Sequence, residues 1–154
     1  EKLIAQKRWK LIKDDSNKSK RLVYNHHYIT LHRDSFNSVL KSSSLVLCMA
    51  GTAAEQAVGL AKPVLQLPGN GPQFTNAFAE AQRRLLGPTV FCADGAPGSA
   101  INISNTAKLA LQLLQVINND LKLQSNCHQQ AKLRIGEGGG AKRIARHISN
   151  KLLR

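Results

Sequence analysis

Residues 48 to 79 read CMAGTAAEQAVGLAKPVLQLPGNGPQFTNAFA, and this stretch decides the fold that we expect. An apolar run over residues 45 to 49 passes through Gly51 into an alanine-rich helix, which should end at Gly59. A second apolar run follows Pro63, whose missing N–H does little harm at the start of a strand. The order strand, glycine turn, helix, strand predicts a parallel α/β unit.

Further apolar runs and helical spacings extend this unit along the chain. The patterns predict strands at 28–31, 45–49, 64–67 and 89–92, and helices at 35–42, 73–86, 105–119, 122–135 and 141–153. Residues 2 to 12 fit either a helix or a helix leading into a strand, and residues 14 to 19 are predicted to be a polar loop. The alternating order implies a parallel sheet covered on both faces, which is a three-layer α/β domain.

The turn at Gly51 and Thr52 has the setting of a ligand site. In an open α/β sheet such a turn lies at the carboxyl end of its strand, where backbone N–H groups can face a phosphate. Glu55 follows one helical turn later, and its carboxylate could accept both hydroxyls of a ribose. The same residues also match a capping box, in which Thr52 and Glu55 satisfy the first N–H groups of their own helix. This short pattern alone leaves both interpretations open.

The residues that follow favour the ligand site. Gly59-x-x-x-Pro63 comes next, Pro68 ends the following strand, and Gln73-x-x-Asn76 opens another helix. The whole run resembles the nucleotide-sugar half of two-domain, Rossmann-like inverting glycosyltransferases of the GT-B type. It is most similar to the lipid-A-disaccharide synthase-related proteins, and more distantly similar to the peptidoglycan N-acetylglucosaminyl transferase.

The resemblance covers roughly residues 27 to 150, with its specific part at 48 to 88. It implies that the diphosphate lies against Gly51 and Thr52, that the ribose hydroxyls are held by Glu55, and that the sugar is held by Gln73 and Asn76. Gln and Asn amides both donate and accept hydrogen bonds, which suits sugar hydroxyls and an acetamido group. The implied reaction moves a sugar of the N-acetylglucosamine type from UDP to a lipid-linked acceptor, as in lipid A biosynthesis.

We expect two parts in this chain. Residues 1 to 26 would be a basic segment and the truncated start of a domain, and residues 27 to 154 a Rossmann-like nucleotide-sugar-binding domain, the C-terminal half of a GT-B fold. The sequence opens at Glu1 without an initiator Met, so we expect a piece of a longer enzyme. The resemblance implies that the catalytic base and acceptor groove lie on the missing N-terminal domain, which would leave this piece alone inactive.

No catalytic residue is assigned within the specific part of the resemblance. Glu55 and Glu80 are the acids in residues 45 to 88. Glu80 is followed three and four residues later by Arg83 and Arg84, so a solvated ion pair is the expected role of its carboxylate.

The net charge of +13 is concentrated outside the motif region. Residues 45 to 100 carry three basic and three acidic side chains, whereas residues 1 to 44 carry ten against four and residues 101 to 154 carry nine against two. Such flanking charge can attract an anionic membrane surface, or can simply be solvated. Nucleic acid is not an expected partner, because aromatic residues are 5% of the chain and no stacking platform alternates with the basic residues.

Cysteine and histidine usage argues against metal and disulfide chemistry. Cys48, Cys92 and Cys127 are widely spaced and odd in number, which fits a reducing cytoplasm. His26 and His27 would point to opposite faces if that stretch were extended. No apolar stretch reaches 18 residues, so we expect no membrane span. We also expect no cofactor and no metal. The protein is expected to be cytoplasmic and able to lie peripherally on a membrane.

Two functions of different class follow from the sequence. The first is the donor-binding domain of a glycosyltransferase. The alternative is a non-catalytic Rossmann-like binding module with a basic surface that faces a membrane or a nucleic acid. The fold alone does not distinguish these two functions, but Glu55, Gln73 and Asn76 favour the donor-binding domain.

Overall fold

A computed structural model describes residues 8–13, 19–49, 51–67, 69 and 75–152 of the chain. The chain divides into two compact units, residues 1–42 and residues 43–154. The predictions for residues 2–7, for most of the loop at 14–19 and for Gln73 lie outside the described residues.

The first unit is a small antiparallel sheet followed by a short helix. Strands β1 (Lys10–Lys13), β2 (Ser19–Tyr24) and β3 (His27–His32) lie in that order in the sheet, and α1 spans Phe36–Ser42. The predicted boundary between residues 26 and 27 falls in the turn that joins the paired strands β2 and β3. The two compact units divide between residues 42 and 43.

The second unit contains the predicted parallel sheet. Its alternating elements are β4 (Val46–Cys48), α2 (Thr52–Gly59), β5 (Val64–Gln66), α3 (Asn76–Leu86) and β6 (Val90–Cys92). The three strands are parallel in the order β4, β5, β6. The predicted parallel strands at 45–49, 64–67 and 89–92 are therefore confirmed, although each has only three residues.

Two successive residues of the middle strand β5 contact two different helices. Leu65 packs in the core with Leu45 and with Leu113 of α4 (Ala100–Val116). The next residue, Gln66, forms a hydrogen bond with Gln82 of α3. The protein is thus a mixed α/β structure with a small parallel sheet.

Three helical segments follow α4. Helix α5 spans Leu121–Gln130, continues as one turn of π-helix over Ala131–Ile135, and is followed by α6 over Gly140–Leu152. The π turn closes with a bond of 3.1 Å from the N–H of Gly136 to the carbonyl of Ala131. It brings Ile135 against Gly59, where an added Cβ would lie 3.2 Å from the Cγ2 atom of Ile135. No helix in the described part of the chain is long and apolar enough to cross a membrane.

Candidate functional site

The carboxyl ends of β4, β5 and β6 meet at one edge of the parallel sheet. Each strand ends in a polar or sulfur-bearing residue, namely Cys48, Gln66 and Cys92. The N–H of Leu67 donates to the carbonyl of Cys48 over 3.1 Å, which holds the segment after β5 beside the end of β4. In open α/β sheets, ligands bind in the crevice outside this edge.

The turn at Gly51 joins β4 to α2 at this edge. Gly51 has φ of 63° and ψ of −134°, a combination that is strained for residues other than glycine. A Cβ added at Gly51 would have no atom of the described residues within 4 Å. The carbonyl of Gly51 accepts the N–H groups of Ala54 (3.0 Å) and Glu55 (3.3 Å), so α2 begins directly after this residue.

The capping-box interpretation of Thr52 and Glu55 is wrong. Gly51 occupies the N-cap position, Thr52 is the first residue inside α2, and no side chain forms a hydrogen bond at this cap. The N–H groups of Thr52 and Ala53 consequently have no acceptor among the described residues. The start of α2 leaves donors available to a ligand.

Glu55 lies on the same stretch of helix as Thr52. Residues three apart on a helix are neighbours on its surface, and both side chains are exposed. Within the described ranges, the Glu55 carboxylate has no hydrogen bond and no salt bridge. The structure therefore places Thr52 and Glu55 on the exposed side of the first turn of α2, directly after Gly51.

Asn76 lies at a second location on this side of the sheet. An open groove of about 590 Å³ is lined by Asn76, Glu80 and Arg83 of α3, by Pro88, and by residues 90 to 95 of β6 and its following loop. Gly51, Thr52 and Glu55 are not among the residues that line it. This groove therefore groups Asn76 with β6 and not with the Gly51 turn, and Gln73 lies outside the described residues.

Glu80 carries the ion pairs that the sequence predicts. Its carboxylate accepts Nε of Arg83 at 2.7 Å, Nη2 of Arg83 at 3.0 Å and Nε of Arg84 at 3.1 Å. The hydrogen bonds from Arg83 and then Arg84 lower the pKa of Glu80 from 4.5 to about 2. A carboxylate held in its ionised form by two guanidinium groups is a poor general base at neutral pH.

The loop after β6 is held in place by residues that the sequence did not single out. Buried Asn102 donates through Nδ2 to the carbonyls of Ala93 (3.1 Å) and Asp94 (3.4 Å), and Asn105 donates to the carbonyl of Asp94 (3.2 Å). Gly95 has φ of 115°, and an added Cβ would lie 3.0 Å from the backbone N of Asn102. The first turns of α4 thereby fix the wall of the groove.

A signal for this arrangement exists in the sequence. Ser99 lies three residues before Asn102, and its hydroxyl accepts the N–H of Asn102 at 3.1 Å as the N-cap of α4. Ser99-x-x-Asn102 therefore marks a helix start five residues earlier than the predicted one at 105.

The three thiols are free and are disfavoured as nucleophiles. Burial raises the pKa of Cys48 to about 11. Burial also raises the pKa of Cys92, which lines the groove, with a further contribution from the charge of Asp94, and it raises that of Cys127. Because the thiolate is the reactive form, these environments do not support cysteine-based catalysis at neutral pH.

The histidines of the first unit differ from their predicted arrangement. The rings of His26 and His27 lie 4.0 Å apart between centroids, instead of pointing to opposite faces. His26 belongs to the turn between β2 and β3, where Asn25 has φ of 52°, so the alternation of an extended strand does not apply. No group of three potential metal ligands comes together within the part of the chain that the structure describes.

No protein-family model, no curated protein and no solved structure matches this chain. The resemblance to nucleotide-sugar-dependent transferases accordingly rests on residues 48 to 88 and remains a prediction.

Proposed function

We propose that this chain is the nucleotide-sugar-binding part of an inverting glycosyltransferase with a Rossmann-like, three-layer domain. The observation that carries the proposal is the uncapped start of α2 at Gly51, one turn before the exposed carboxylate of Glu55. It is supported by the position of this turn at the carboxyl edge of the sheet, where such folds bind nucleotides.

The start of α2 suits a diphosphate. The N–H groups of Thr52 and Ala53 have no acceptor among the described residues, and the helix dipole adds partial positive charge at this end. Among the described residues, the space on the Cβ side of Gly51 is open, which allows an anion to approach the backbone closely. A side chain here would both occupy that space and strain a backbone at φ of 63°.

Glu55 and Asn76 supply the remaining donor contacts in this proposal. The carboxylate of Glu55 accepts the two ribose hydroxyls, one helical turn beyond the diphosphate. Asn76 begins α3 and lines the groove beside β6, where its amide can donate to and accept from sugar hydroxyls. Gln73 is assigned to the sugar by the resemblance.

The chemical step then requires a group from elsewhere in a longer enzyme. Inverting transfer needs a base that removes a proton from the acceptor hydroxyl. Of the two acids in residues 45 to 88, Glu80 is held ionised by Arg83 and Arg84, and Glu55 is assigned to the ribose. We therefore assign donor binding to this chain, with UDP-N-acetylglucosamine as the donor class and a lipid-linked acceptor held by an N-terminal domain.

Calorimetric titration of the 154-residue chain tests this proposal. UDP and UDP-N-acetylglucosamine should bind saturably and more tightly than ADP or GDP. Gly51→Ala should reduce the affinity at least about tenfold, because the turn can no longer hold its N–H groups against a diphosphate.

Gly136→Ala is the matched control. Gly136 has φ of 84°, and no atom of the described residues lies within 4 Å of an added Cβ, so this variant carries similar backbone strain near Gly59, at the opposite end of α2 from the Gly51 turn. It should leave nucleotide affinity unchanged. Equal losses in the two variants, or no saturable binding of any nucleoside diphosphate, would refute the proposed function.

The alternative function, a binding module without turnover, draws its support from the basic C-terminal helix α6. This alternative predicts that the chain binds an anionic surface even if it binds no nucleotide.

A further inference from the structure

The last helix, α6, is exposed along its whole length. It spans the 13 residues Gly140–Leu152, and every side chain from Ala141 to Leu152 is exposed. An isolated helix of this length is marginal in water, and helices in proteins are stabilised mostly by burying an apolar face. The exposed apolar face of α6 is therefore the feature that needs an explanation.

The apolar residues of α6 form one continuous stripe. At about 100° per residue, they all fall within an arc of about 100°, whereas every charged residue falls outside that arc. The two isoleucines and the leucine are 62%, 49% and 78% exposed, respectively. The stripe consists of Ala141, Ile144, Ala145, Ile148 and Leu152.

The rest of the helix surface is basic. It carries four lysine and arginine residues and no acidic residue: Lys142, Arg143, Arg146 and Lys151. Arg143 donates to the carbonyls of Gly138 (2.9 Å) and Glu137 (3.2 Å), which ties the helix start to its preceding loop. The other three cations have no salt bridge within the described residues.

The apolar stripe and the basic surface of α6 together favour one kind of partner. A nucleic acid would neutralise the cations and leave the apolar stripe in water, and α6 has no Phe, Tyr or Trp on which a base could stack. An anionic lipid surface satisfies both faces, because acyl chains cover the stripe while headgroup phosphates pair with lysine and arginine.

We propose that α6 is an interfacial helix that binds this protein to anionic membranes. Its axis lies in the plane of the bilayer surface. Ile144, Ile148 and Leu152 insert below the headgroups, and Lys142, Arg146 and Lys151 remain at the level of the phosphates. This inference does not depend on donor binding, since no residue of α6 belongs to the proposed nucleotide site.

Vesicle co-sedimentation of the full 154-residue chain is the primary test. The chain should bind vesicles of phosphatidylcholine mixed with phosphatidylglycerol and should bind pure phosphatidylcholine much more weakly. Binding should weaken as salt is added, because screening reduces attraction between exposed charges. Hydrogen exchange of residues 140 to 152 should slow on the anionic vesicles.

Paired variants separate the two faces of the helix. Arg146→Gln with Lys151→Gln should weaken partitioning about 25-fold, since each basic residue near an anionic surface contributes about fivefold. Ile144→Ser with Ile148→Ser should weaken it at least about tenfold, because the buried stripe is lost.

Matched controls carry the same chemical changes on other helices. Lys108→Gln with Lys122→Gln removes two charges from α4 and α5, and Leu111→Ser alters a side chain that is 62% exposed on α4. Both should stay within about threefold of the wild-type partitioning.

Three results would overturn the proposal. The first is equal loss of binding in the α6 variants and their controls. The second is a change from dimer to monomer in the Ile144→Ser, Ile148→Ser variant without lipid, which would make a second copy the partner. The third is RNA binding that depends on Arg146 and Lys151, together with vesicle binding that is indifferent to Ile144 and Ile148.

Discussion

Gln66, the last residue of β5, donates a hydrogen bond from Nε2 to Oε1 of Gln82, in the middle of α3. Both side chains are buried, with exposed fractions of 1% and 7%. The other amide atom, Oε1 of Gln66, has no hydrogen-bond partner within the described part of the chain. This pair fixes α3 against the middle strand, close to the carboxyl edge of the sheet.

Breaking this amide pair should destabilise the protein. We expect Gln82→Leu to lower the free energy of unfolding by about 1–3 kcal/mol, because the amide of Gln66 is left buried without its partner. The double variant with Gln66→Leu should recover most of that loss, since replacing both partners by apolar groups of similar shape can be nearly neutral. Urea denaturation followed by circular dichroism measures both, and a double variant less stable than Gln82→Leu would contradict this account.

Gly87 is expected to be intolerant of a side chain. It ends α3 with φ of 97°, and an added Cβ would overlap Oε1 of Gln130, which accepts Nε of Arg134 at 3.2 Å. Gly87→Ala should cost about 1–3 kcal/mol in unfolding free energy, because the backbone is strained for any L-residue. Gly138→Ala is the control, because Gly138 has no positive φ and no atom of the described residues lies within 4 Å of its added Cβ. Thermal melts of the two variants should separate clearly.

Asn102 should stabilise both the core and the groove. Asn102→Ala removes a buried hydrogen bond to the carbonyl of Ala93 and a partly buried one to the carbonyl of Asp94, so we expect a loss of about 1–3 kcal/mol and faster hydrogen exchange in residues 93 to 98. Asn105→Ala removes one exposed bond to Asp94 and should cost less than about 1 kcal/mol. Similar losses of unfolding free energy in both variants would show that the burial of Asn102 does not determine its contribution to stability.

Replacing the carboxylate of Glu55 should weaken nucleotide-sugar binding and leave the stability of the fold unchanged. It forms no capping bond at α2, so Glu55→Gln should leave the melting temperature nearly unchanged. The same variant should weaken UDP-N-acetylglucosamine binding by about 1.5–3 kcal/mol, the usual scale for hydrogen bonds to a charged group. Glu137→Gln removes an identical charge from an exposed loop and should not alter the affinity, as measured by calorimetry. Unchanged affinity in Glu55→Gln would leave the ribose without its proposed partner.

The pH dependence of stability should report the Glu80 ion pairs. Hydrogen bonds from Arg83 and Arg84 lower the pKa of Glu80 from 4.5 to about 2, so the folded state favours the ionised carboxylate. The resulting stabilisation is present above pH 4.5 and is lost as the pH falls towards 2. The effect should be small because the pair is solvated. Urea midpoints of wild type and Glu80→Gln should converge over this interval, and a constant offset would contradict the prediction.

The central α/β unit was predictable because its signals are local. Gly51, Gly59 and Pro63 interrupt short apolar runs at positions where a strand or helix must end, and the three parallel strands follow from them. The strand at Lys10–Lys13 was not decided by sequence, because its mixed basic and apolar residues fit either secondary structure. Its pairing with β2 is a contact between separate segments, which periodicity does not reveal.

The candidate site was predictable only in part. The Gly51 turn was identified correctly as the entry to a helix, but the capping box failed because the backbone conformation of Gly51 moves the N-cap one residue ahead of Thr52. Asn102 was missed because its partners lie eight and nine residues away and are carbonyl groups, which carry no sequence signature.

The π turn at Ala131–Ile135 limits insertions and deletions in this part of the chain. Its hydrogen bond, from Gly136 to Ala131, spans five residues instead of four, so each later side chain is rotated relative to an uninterrupted α-helix. That rotation is what directs Ile135 at Gly59, while Leu133 remains 66% exposed. Insertions and deletions are thus constrained here more tightly than substitutions, because the loss of one residue from this turn would swing Ile135 away from α2 without altering a single apolar side chain.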